Sequence, residues 1–135
     1  MANNIRLEVV TPEKSVVSEN AQIVMAPGVL GQFGVLFNHT PFMTALQIGT
    51  LKYKDESGRE RFVFIGGGFA EALPDRVTVL AESAERRKDI DLHRAKAAVE
   101  RAEKRLQAGG KDVDFVRAKT ALLRAISRIR LAETR

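Results

Sequence analysis

The hydrophobic period of this chain changes near Ala81, from two residues to an alternation of three and four, and the two patterns demand different secondary structure. Upstream, Ile5, Leu7 and Val9 alternate with Arg6 and Glu8, and Leu51 and Tyr53 alternate with Lys52 and Lys54, as in strands with one buried face. Turn sequences close these runs quickly. Thr11-Pro12, Pro27-Gly28, Asp55-Glu56-Ser57-Gly58 and Pro74-Asp75 leave short strands that include residues 21–25, 61–65, 69–73 and 77–80. This spacing suits a sandwich or barrel and leaves no room for the long crossovers of a parallel sheet.

Downstream of Ala81, the residues Ala, Arg, Lys and Glu dominate, and Gly109-Gly110 predicts a helix C-cap with a tight turn. Leu92, Ala95, Val99, Ala102 and Leu106 form one stripe, and Phe115, Ala118, Leu122, Ala125, Ile129 and Ala132 form another. Both stripes are narrow and rich in Ala, so at about 25 cal/mol per Å² their mutual burial stabilises modestly. The expected class is therefore α+β: an N-terminal antiparallel β-sandwich over residues 1–85, followed over residues 86–135 by a C-terminal antiparallel two-helix hairpin that should be docked on a further surface and could undock from it.

Charge divides the chain at the same place. Residues 86–135 carry 15 Lys and Arg against 7 Asp and Glu, whereas residues 1–85 carry 7 against 10, so a segment of +8 follows one of −3. Such asymmetry points to a polyanionic ligand or partner for the second half. A length of 135 residues excludes a large two-domain enzyme. The chain has no Cys, which removes disulfides, thiolate metal sites and cysteine nucleophiles. No stretch approaches the roughly 18 to 20 apolar residues of a membrane span, and Asn3, Asn4, Arg6 and Glu8 do not resemble a signal or transit peptide. A cytosolic location, at most peripheral to a membrane, is expected.

The two helical stretches begin alike. Asp89-Ile90-Asp91-Leu92-His93-Arg94-Ala95 and Asp112-Val113-Asp114-Phe115-Val116-Arg117-Ala118 share Asp-aliphatic-Asp-apolar-x-Arg-Ala. Helix-start chemistry accounts for the echo: one Asp caps the first turn, the second opposes the helix dipole, and the Arg pairs with it.

Other candidate chemistry is weak. Gly66-Gly67-Gly68 and the spaced Gly28, Gly31 and Gly34 lack the Gly-Lys-Ser/Thr of a phosphate loop and read as bulges or close backbone approaches. His39 and His93 have no companions at metal-ligand spacing, and no Ser/His/Asp arrangement suggests itself, so neither a metal nor a catalytic residue is assigned. Phe33, Phe37, Phe42, Phe62, Phe64 and Phe69 lie in or beside apolar runs, which favours core and interface over base stacking.

Three segments make the chain resemble the epsilon subunits of bacterial F-type ATP synthase. Gly31-Gln32-Phe33-Gly34-Val35-Leu36 with His39-Thr40-Pro41-Phe42 looks like the family's glycine-bracketed loop and its His-x-Pro-Leu. Gly67-Gly68-Phe69-Ala70-Glu71 with Val77-Thr78-Val79-Leu80-Ala81 is similar to its Gly-Gly-Phe-x-Glu and Val-Thr-Val-Leu-Ala runs. Ile90-Asp91-Leu92-His93-Arg94-Ala95 fits the Ile/Leu-Asp-x-x-Arg-Ala signature of ATP-binding members. Two positions depart from the pattern: Gln32 stands where many members have an acidic residue, and Phe37-Asn38 where they have Pro-Gly.

The resemblance implies a non-catalytic rotor subunit, peripheral at the cytoplasmic face of the bacterial cell membrane. Its sandwich would join the gamma subunit of the central stalk to the membrane rotor ring of c subunits, with Gly31, Gln32, Phe33, His39 and Pro41 in the contact region. The hairpin would extend to meet the catalytic beta subunits and block ATP hydrolysis. No cofactor is required, but ATP is implied as a regulatory ligand of the folded hairpin, held by Glu85, Ile90, Asp91, Arg94 and Arg101 with Arg124 and Arg128. The chemistry agrees, because guanidinium groups stay charged and grip phosphate oxygens in pairs.

A basic nucleic-acid-binding protein is the competing class. Against it, the basic residues are dispersed among Glu100, Glu103, Asp112 and Asp114, and no helix-turn-helix or zinc-finger spacing is present, so no nucleic-acid partner is expected.

Overall fold

Alternating burial in the first half follows the alternation of its sequence. In the computed structural model, which describes residues 3–110 and 114–134, Ile5, Leu7 and Val9 of β1 (Ile5–Val10) are fully excluded from solvent. They meet side chains from β2 (Ser15–Gly28), β4 (Phe42–Asp55), β5 (Glu60–Leu73) and β6 (Arg76–Ala81) in one core, where Leu51, Tyr53, Val63, Ile65, Val77 and Val79 are buried. Two shorter strands, β3 (Gly31–Val35) and β7 (Ala84–Arg86), pair with β2 and β5.

The pairings β1–β6, β6–β5, β5–β4, β4–β2 and β2–β1 close a ring. Directions cannot alternate around a ring of five, so one neighbouring pair must be parallel. That pair is β1–β6, with Leu7 opposite Val77, and the rest of the expected sandwich is antiparallel.

Residues 61–65 and 69–73, expected as separate strands, are one 14-residue strand. Gly67 (φ 99°) and Gly68 (φ 137°) let β5 bend without breaking its ladder to β4. The bend is where β5 changes its other partner, from β7 (Val63 opposite Arg86) to β6 (Gly68 opposite Ala81). A Cβ at Gly68 would overlap the Leu80 carbonyl oxygen, so the close approach inferred from the glycine run is real. Pro27-Gly28 also differs from expectation. It ends β2, and Val29-Leu30 make the turn.

Helix does not follow Ala81 directly: β7 and a 3₁₀ turn (Arg87–Asp89) come first. The chain divides into two compact units, one up to Arg87 and one from Lys88, so Arg86 belongs with the strands. In the second unit, α1 (Leu92–Ala108) starts at an N-cap Asp91, whose carboxylate accepts from the Arg94 N–H at 3.0 Å, and stops at Gly109 (φ 61°). Helix α2 (Phe115–Glu133) starts in the same way, with Asp114 accepting from the Arg117 N–H at 3.0 Å. The second Asp of each echo is therefore the cap, and it holds the arginine's backbone N–H; Asp112 lies outside the described residues. An ion pair of 3.9 Å between Lys96 and Glu133 brings the start of α1 to the end of α2, which makes the pair antiparallel. Ala95, Ala102, Ala118 and Ala125 are buried, as is Leu131, which lies off the expected stripe. Phe115 is half exposed, because in this register it lies beyond the last residue of α1.

Candidate functional site

Rotation about each helix places four arginines. Arg94 and Arg101 precede the buried Ala95 and Ala102 by one residue, about 100° of turn, and Arg124 precedes Ala125 likewise. Arg128, three residues after Ala125, comes round to about 60° before it. Because the helices run antiparallel, these offsets open to the same side of the hairpin. The register set by Lys96 and Glu133 puts Arg101 level with Arg128. Arg124 then lies about 6 Å further toward the turn, and Arg94 about 10 Å the other way, at 1.5 Å of rise per residue. The result is a cationic line suited to an elongated anion. Arg94 and Arg101 are exposed, and Arg124 and Arg128 are half-buried.

Of the remaining residues expected at this site, Ile90 is half-buried just ahead of α1, and Asp91 is engaged as the N-cap. Glu85 is in β7 of the first unit, opposite Phe64.

The second candidate region lies in β3 and the loop after it. Gly31 and Gln32 are exposed at the start of β3, opposite Gly28 and Pro27. Phe33 meets Phe42 edge to face, with centroids 4.9 Å apart, and the His39 ring lies 5.2 Å from Phe42. His39 Nδ1 is 2.6 Å from the Thr40 carbonyl, and Pro41 is exposed. Phe33 and His39 are thus tied through one aromatic cluster with Phe42, while Gly31 and Gln32 stand just before Phe33 at the start of β3. Leu30, 97% exposed at the β2–β3 turn, is an apolar side chain that strand periodicity did not single out.

Periodicity also missed Met43, Phe69 and Leu80. They are more than half exposed on adjacent strands β4, β5 and β6, where they line a groove of about 350 Å³ with Ala70, Glu71 and Thr78. Phe69 stands directly opposite Leu80, so the outer face of this sheet carries apolar side chains where alternation predicts polar ones. Among the described residues no cluster of His, Asp and Glu could hold a metal, and no helix is long and apolar enough to cross a membrane.

Comparison with known proteins agrees with the division into units. Residues 4–87 match the family described as ATP synthase, Delta/Epsilon chain, beta-sandwich domain, and residues 88–133 match the corresponding long alpha-helix domain. An ATP synthase epsilon chain of Desulforapulum autotrophicum is 61% identical over 135 residues, covering 100% of both chains. One of Desulfosudis oleivorans is 70% identical over 109 residues, 81% of this chain and 82% of that one. A chain in the mitochondrial ATP synthase of Euglena gracilis shares the fold, with a TM-score of 0.78 at 23% identity over 92% of this chain and 78% of that one. These matches run through both units and do not favour a nucleic-acid-binding protein. With its strand ring and helical hairpin each matched at full length, this chain belongs to the ATP synthase epsilon chain family, non-catalytic subunits of the synthase complex.

Proposed function

We propose that this chain is a peripheral rotor subunit at the cytoplasmic face of the bacterial membrane, whose sandwich couples the gamma subunit of the central stalk to the ring of c subunits. The family membership supports this reading, as does the apolar surface of the sandwich. Met43, Phe69 and Leu80 suit a protein partner, and we assign that face to the stalk; the loop around His39 and Pro41, with the β2–β3 turn, is assigned to the ring.

The hairpin is the regulatory element. Extended, it meets the catalytic beta subunits and inhibits hydrolysis, helped by its positive charge. Folded, it binds ATP without needing any cofactor. The observation that carries the ATP reading is the line of Arg94, Arg101, Arg124 and Arg128 on one side of an antiparallel pair. ATP bound only to the folded form shifts the population away from inhibition by no more than its differential affinity for the two states.

Isothermal titration of the isolated subunit tests this directly. Arg94→Ala or Arg124→Ala should weaken ATP binding by about 1.5 to 3 kcal/mol, the range of a charge-assisted contact, and Lys at either position should restore little. Unchanged affinity in both Ala variants would reduce the Asp-x-x-Arg signature to a helix start.

A further inference from the structure

Three residues of edge strand fray easily, yet β7 ends the first unit and bears the connection to the helices. Its last residue is tied to two strands with which β7 does not pair. The Arg86 Nε donates to the Val16 carbonyl of β2 at 3.0 Å, across 70 residues of sequence, and Nη1 donates to the Tyr53 hydroxyl of β4 at 3.5 Å. Nη2 lies 3.9 Å from the Glu19 carboxylate of β2. Tyr53 is 1% exposed, and its hydroxyl hydrogen-bonds Glu19, so Arg86, Tyr53 and Glu19 form a closed polar triangle at the edge of the core. Burial, with the Glu19 charge adding to it, pushes the Tyr53 pKa up to about 12 and keeps the phenol a neutral donor. Next along the chain, the Arg87 guanidinium sits 4.5 Å from the centroid of the Phe62 ring of β5. Lys88 and Asp89 are then exposed.

We propose that Arg86 and Arg87 form a clamp that ends the sandwich and sets the pivot of the helical unit at Lys88. The chain up to Arg87 then stays with the strands in every state of the hairpin. Reorientation is confined to the few residues between Lys88 and the N-cap Asp91. The clamp deepens the reading of the hairpin as a mobile regulator, but it is itself a property of β7 and does not depend on ATP or on inhibition.

Residue-resolved amide exchange on the full chain tests it, comparing the natural sequence with Arg86→Met, Arg87→Met and the double variant. Met keeps an apolar stem and removes the guanidinium. In the natural sequence, exchange should be at least tenfold slower in β7 than at Lys88 and Asp89. In the double variant β7 should exchange at least tenfold faster than before, with the β4–β5 and β1–β6 ladders unchanged and Arg87→Met intermediate. Equal β7 protection in all four chains would overturn the clamp, as would β7 amides no slower than Lys88 in the natural sequence. Loss of protection throughout the sandwich would also overturn it, by making Arg86 a general core residue. None of these outcomes bears on ATP affinity, so the clamp and the nucleotide reading fail separately.

Discussion

Asn38 adopts a φ of 67°, a conformation that costs most side chains about 1 to 2 kcal/mol. Asn tolerates the left-handed region better than most other non-glycine residues. Asn38→Gly should leave stability unchanged or slightly raised, whereas Asn38→Val should lower it by about 1 to 2 kcal/mol in urea unfolding. Gly68 is stricter: with φ at 137° and the Leu80 carbonyl where a Cβ would go, Gly68→Ala should cost about 3 kcal/mol or more. At the β4–β5 turn, the Ser57 hydroxyl hydrogen-bonds the Asp55 carboxylate, as do the backbone N–H groups of Arg59 and Ser57 and the Arg61 guanidinium. Together they lower its pKa from 3.8 to about 2, with the Ser57 hydroxyl leading and desolvation opposing. A depressed carboxylate stabilises fully above its unfolded pKa, and that contribution is lost as pH falls from about 4 to 2. Asp55→Asn should therefore unfold more easily at pH 7, and its deficit should close on approaching pH 2; a deficit that does not change with pH would show that the charge plays no part.

The two helix starts offer an internal control at the scale of elements. Asp91 and Asp114 cap α1 and α2 with the same geometry, so Asp91→Ala and Asp114→Ala should each cost about 1 kcal/mol of hairpin stability. Only Asp91→Ala should weaken ATP binding in titration, because Asp91 is itself one of the candidate ATP residues and lies three positions from Arg94, whereas Asp114 lies about 15 Å of helix before Arg124; equal losses in both variants would mean that the ligand reads overall helicity. Caps, the Gly109 stop and the Ala stripes were legible because each depends on residues within about four positions of one another. The single strand β5 was not. Its glycines suggested a break, and only the ladder to β4 across the bend showed that pairing continues through them.

At the scale of the molecule, the division after Arg87 predicts that a chain ending there keeps a folded sandwich. Reconstituted synthase with that chain should still pump protons and should hydrolyse ATP faster than with the full chain. Abolished pumping would make the helices structural, and an unchanged rate would mean that they do not inhibit. The sequence by itself determined the two kinds of structure and their order, the caps and the basic character of the hairpin. All of these are carried by period, local spacing and composition. The tertiary structure alone decided the closure of five strands into a ring with its obligatory parallel pair, the assignment of Arg86 to the strands, and the apolar outer face of Met43, Phe69 and Leu80. Each of these depends on contacts between residues that local sequence does not link, and such contacts leave no periodic trace in the chain.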